Sequence, residues 1–122
     1  MNSLVKIDIA KDFSPVPLGR FPDDSPFNGT TFREQLLLPA LKKSPHVQVV
    51  FDGAEGFGSS FLEEAFGGLI RQEGWREADL LRQLDLISVE DPTLIEEVLS
   101  YLHEAEALLY SNADSGNRPK GR

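Results

Sequence analysis

The stretch from Val47 to Ile70 constrains the fold more than any other part of the chain. Val47, Val49, Val50 and Phe51 make a short apolar run interrupted only by Gln48, which reads as a central strand buried on both faces. The run ends at Asp52, passes through a turn containing Gly53, Gly56 and Gly58, and meets the pair Ser59-Ser60. Beyond it, Phe61, Leu62, Ala65, Phe66, Leu69 and Ile70 recur at the 3.6-residue period of a core-facing helix. Strand, loop and helix in that order gather hydroxyls and carboxylates at the carboxyl end of a sheet, where α/β proteins meet ligands and partners.

The flanking segments extend the same alternation. Val5, Ile7 and Ile9 alternate with Lys6 and Asp8 as in a half-buried strand. Four prolines between Phe13 and Asn28 restrict that stretch to a long connection with short edge pairing around Leu18 to Phe21. Thr31 and Glu34 have capping-box spacing, so a first helix is expected from Phe32, kinked by Pro39 and ended by Ser44-Pro45. A second capping box, Ser60 with Glu63, opens the next helix, and Gly67-Gly68 inside it marks a close backbone contact, with the sheet as the expected neighbour. A short helix over Glu77 to Gln83, a core strand over Leu84 to Val89 and a last helix after Asp91-Pro92 complete the order. The expected domain is 1–110, with 111–122 as a flexible tail.

Charge and composition narrow the function. A formal charge of -8 repels a phosphate backbone, so nucleic acid is not expected as a partner. The absence of cysteine excludes disulfides, thiolate metal sites and thiol nucleophiles. No apolar run approaches the ~20 residues that span a bilayer, and a cytoplasmic location in a bacterial-type protein is expected, without a membrane.

The candidate site residues all have plain structural readings beside their functional ones. Ser60 suits an N-cap, leaving Ser59 pointing outward, where a phosphate would gain from the helix dipole. Asp52 followed by glycine suits a turn, and could also act as a general base or metal ligand. Glu63 and Glu64 suit the first turn of a helix, while Arg20, Arg33 and Arg71 suit scattered surface ion pairs or an anion site. Gly53, Gly56 and Gly58 match neither a Walker loop nor GxGxxG, and GxSxG is absent. No cofactor and no metal are expected.

The segments Gly19-Arg20, Phe27 to Glu34, Phe57 to Arg71 and Asp91 to Glu97 together resemble the STAS-like family of unknown function, distantly similar to anti-sigma factor antagonists. The resemblance implies an α/β domain with a mixed sheet, an N-terminal antiparallel part and helices packed mainly on one side. It also implies a non-catalytic regulatory module that docks an ATP-binding kinase-like protein through residues 52–64 and is switched by phosphorylation. Gly58-Ser59-Ser60-Phe61 stands where antagonists carry Asp-Ser-Ser-Gly, so Ser59, with Ser60, is the phosphoacceptor candidate. Asp52, Glu55, Phe57, Gly58, Glu63, Glu64 and Arg20 are the partner-binding candidates. The alternative is a small hydrolase or metal-assisted enzyme using Asp52, Glu55, Glu63 and Ser59.

Overall fold

Three strands, β1 (Leu4–Asp8), β2 (His46–Val50) and β3 (Leu84–Ile87), pair in the order β1-β2-β3, all parallel, in a computed structural model that describes residues 4–117. The expected mixed sheet with an antiparallel N-terminal part is thereby corrected. The proline-rich segment 14–28 forms a strap without strand pairing, held by single bonds such as Leu18 N–H to Phe27 O at 2.9 Å and Gly29 N–H to Gly19 O at 2.8 Å. Proline removes the donors that a continuous ladder would need.

Register places Val5, Val47 and Leu84 in one inward row and Ile7, Val49 and Leu86 in the next. Lys6, Gln48 and Asp85 form a row on the opposite face, where both charged residues are exposed. The sheet is therefore covered on one side only. Gln48 and Val50 are half-buried, so β2 is not buried on both faces as its run suggested.

The helices supply the covering layer. Helix α1 spans 29–43 as Gly29–Phe32, a wide turn over Arg33–Leu37 and Leu38–Lys43. In the wide turn the Leu38 N–H bonds the Arg33 carbonyl five residues back, just before Pro39, which has no N–H to offer. Helix α2 spans 59–71 as Ser59–Leu62, a second wide turn over Glu63–Gly67 and Gly68–Arg71. Helix α3 is Glu77–Gln83 and α4 is Thr93–Asn117, so residues 111–117, expected as tail, are helical; residues 118–122 of that expectation lie outside the described residues.

One hydrophobic cluster draws on residues from Ile7 to Ala105 and includes the fully buried Phe32, Phe61 and Phe66. Burying each such ring contributes about 1.5–3 kcal/mol. Helices α1 and α2 cross where Gly29 allows it: a Cβ there would stand 2.7 Å from the Phe61 carbonyl oxygen.

Candidate functional site

Strand β2 delivers its chain to a loop, 51–58, at the carboxyl end of the sheet, as the sequence pattern required. Asp52 does not project from it freely. Its carboxylate accepts the Val89 N–H at 3.0 Å and the Glu90 N–H at 2.8 Å, while Glu90 accepts the Gly53 N–H at 3.0 Å. The loops after β2 and β3 are thus stapled reciprocally. Phe57 anchors the far side of the loop, with ring centroids 5.4 Å from Phe51 and 6.1 Å from Phe61.

Between these two loops and the start of α4 lies a cleft of about 310 Å³. Asp52, Glu55, Glu90, Asp91 and Glu97 contribute to its wall, and among the described residues no lysine, arginine or histidine does. The strap runs along its rim. Pro15 O accepts the Glu55 N–H at 2.8 Å, and a Cβ at Gly58 would stand 3.5 Å from Leu18 Cδ1. Val16, Leu18, Phe21 and Phe27 of the strap are exposed.

Ser59 is the first residue of α2 and is exposed. The helix is capped from Gly58 with no side-chain cap bond, so Ser60 does not form the expected capping box with Glu63. Ser59 instead adjoins Tyr101 of α4. The Tyr101 phenol donates to Glu97 Oε2 at 2.6 Å, and this bond, with burial, raises its pKa against an opposing contribution from the Ser59 hydroxyl. Glu97 and Tyr101, one helical turn apart, escaped sequence reasoning. Their four-residue spacing was the available signal.

One turn further along α2 the electrostatics reverse. Glu63 meets Arg20 at 2.5 Å and Arg71 at 2.5 Å. Burial pushes the Glu63 carboxyl upward, but the hydrogen bonds from Arg71 and Arg20 outweigh it and hold the group below its ordinary value. Glu64 is 3% exposed and pairs with Arg33, also 3% exposed, at 3.0 Å. Arg33 Nη1 additionally donates to the Glu64 carbonyl at 2.5 Å, and its Nε to Glu73 at 3.1 Å. Three glutamates and three arginines, with Arg20 and Arg71 each 3.3 Å from Glu64, make a neutral network across the α1–α2 crossing and the strap.

This network corrects several expectations. Glu63 and Glu64 are ion-pair partners rather than caps, and Arg33 is not a surface residue, because both helices must cancel charges that they carry into their contact. Arg20 serves the same network. The Glu64 carboxylate, buried against Arg33, is spent inside the protein. The close contact at Gly67-Gly68 is with side chains of the network and not with the sheet: a Cβ at Gly68 would stand 2.0 Å from Arg33 Nη1.

The groups invoked for catalysis point to different partners, Asp52 to the β3 loop and Glu63 to Arg20 and Arg71. His46 opens β2 at the end remote from Asp52, and His103 Nδ1 lies 3.2 Å from Glu77. Among the described residues no cluster of three or more histidines or carboxylates is arranged to hold a metal, and no helix is long and apolar enough to cross a membrane.

A parallel sheet covered on one face, with its candidate site where β2 passes into α2, makes a small α/β domain consistent with a STAS-like fold. The family model of a STAS-like domain of unknown function matches residues 28–94, more than half of the chain, and the protein belongs to that family. The match begins at Asn28, which caps α1 by accepting the Thr31 N–H at 2.9 Å, and ends in the first turn of α4. No curated protein and no solved structure matches the chain.

Proposed function

We propose that this protein is a non-catalytic regulatory interaction module that docks a protein partner, of the ATP-binding kinase-like class, through the exposed surface of residues 52–59. The observation that carries the reading is the state of Ser59: exposed at the head of α2, relieved of capping duty, and set beside Tyr101, whose partner Glu97 lines the acidic cleft. Membership of a STAS-like family supports a module of this kind. Glu55 and the exposed side chains of Val16 and Leu18 extend the docking surface, whereas Glu64 has no part in it.

Phosphorylation of Ser59 is the proposed switch. A phosphate there adds roughly 1.5 to 2 negative charges beside the Tyr101–Glu97 pair and the cleft carboxylates. Repulsion from Glu97 opposes the dipole attraction, so the modified surface is remodelled and releases the partner. Affinity co-purification with wild type, Ser59→Ala and Ser59→Asp tests this. The expected result is one ATP-binding protein retained by wild type and Ser59→Ala and lost with Ser59→Asp. Retention by all three, or no such partner with any, overturns it.

A further inference from the structure

The two edges of the sheet differ in a way the docking surface does not explain. Strand β3 has no strand on its outer side among the described residues, and its inward residues Leu84 and Leu86 are only half-buried. They open into a groove of about 280 Å³ between β3, α3 and α4, lined among the described residues by leucine and isoleucine alone. Leu81 and Leu99 are 50% and 38% exposed there. Edge strands are ordinarily blunted by lysine, proline or a bulge. Leu84–Ile87 carries none of these three; its protection is its shortness, four residues, and one outward charge, Asp85.

The charges around the edge select what could cover it. Asp85 is exposed in the outward row, and Glu96 is exposed on α4 between Ile95 and Leu99. Two basic side chains on α3 and α4 are already engaged, Arg82 with Asp79 and His103 with Glu77. The β1 edge is the opposite case. Its groove carries Lys6, Lys11 and Lys43, and none of these pairs with a carboxylate among the described residues, whereas the described arginines all do. One sheet thus presents a bare, acid-flanked edge and a lysine-guarded one.

We infer that β3 is a docking edge for an extended segment of another protein, with aliphatic residues at alternate positions and lysine or arginine between them. Such a segment pairs its backbone with β3, drops its aliphatic side chains into the Leu81–Leu99 groove and sets its cations beside Asp85 and Glu96. Strand β1 shows that the pattern suits this sheet: Val5 and Ile7 face inward while Lys6 occupies the row that ends in Asp85. The surface is separate from Ser59 and stands whether or not the Ser59 loop docks a partner.

The test is titration of the 15N-labelled full chain with a synthetic peptide of sequence Ser-Val-Lys-Val-Arg-Ile-Lys-Ser, with a second peptide carrying glutamate at the three basic positions. Expected are saturable shifts at residues 84–87 and 95–102 with the basic peptide, and binding weaker by roughly tenfold or more with the acidic one. Asp85→Lys and Leu81→Glu, both at exposed positions, are each expected to weaken the basic peptide by about tenfold while the amide spectrum stays folded. No shift at β3 up to millimolar peptide, equal binding of the two peptides, shifts confined to the Ser59 loop, or occupation of the β3 edge by a second copy of the chain would each overturn the inference.

Discussion

Two acidic regions, one on α2 and one at the carboxyl end of the sheet, have opposite fates. Glu63 and Glu64 are met by Arg20, Arg33 and Arg71, and one of them is buried. Asp52, Glu55, Glu90, Asp91 and Glu97 wall a cleft without a cation among the described residues. Local density of carboxylates is the same signal in both cases, and what separates structure from availability is where the counter-charge comes from. In the network it arrives from the strap and α1, 31 to 44 residues away in sequence, and from Arg71 on the same helix. In the cleft, backbone N–H groups, one phenol and the Thr93 hydroxyl satisfy some oxygens and leave the charge intact.

Substitutions should divide along that line. Glu64→Ala removes one of the two carboxylates that hold the buried Arg33, leaving Glu73 on its Nε, and is expected to cost about 3 kcal/mol in urea unfolding. A loss under 1 kcal/mol would show that the network contributes no more than surface pairs do. Gly68→Ala forces the Arg33 guanidinium aside and should cost about 1–3 kcal/mol. The same change in an Arg33→Ala background should cost markedly less, and an equal cost in both would refute the contact as its cause. Asp52→Ala removes the acceptor of two backbone donors at a partly exposed position, for about 1–2 kcal/mol on chemical denaturation.

Acid sharpens the same contrast. Because the folded Glu63 carboxyl titrates below its ordinary value of 4.5, its contribution is present above that value and is lost as pH falls through the lower folded one. The stability gap between wild type and Glu63→Gln should therefore narrow from neutral pH towards pH ~3, read from urea midpoints. A gap constant with pH would remove Glu63 from the acid response. Smallest of all, Ser59→Ala should leave stability within about 0.5 kcal/mol, since its hydroxyl caps nothing.

The sequence made the strands and helices legible because each carries a period of its own, as Val5 and Ile7 do for β1 and Phe61, Ala65 and Leu69 do for α2. It misplaced the start of α1 because three residues could cap it. Asn28 takes the Thr31 N–H, while Thr30 Oγ1 donates to Arg20 O at 2.8 Å, so the apparent Thr31–Glu34 box has no role. The strap misled because its backbone bonds resemble hairpin contacts without making a ladder. Ser59 and its loop were placed from pattern alone. The arginine network was not, since no local rule pairs Arg33 with Glu64, although a cation among Phe32, Leu36 and Leu37 and a glutamate three residues after Phe61 were the hints.

The guanidinium lying over Gly68 makes two distant positions a single unit of variation. A relative with even a methyl group at the counterpart of Gly68 should carry something shorter than arginine at the counterpart of Arg33, with the counterparts of Arg20 and Arg71 left to hold the acid at the counterpart of Glu64. Divergence at this crossing is expected to proceed by exchange of the pair, so chains intermediate between the two solutions should be scarce.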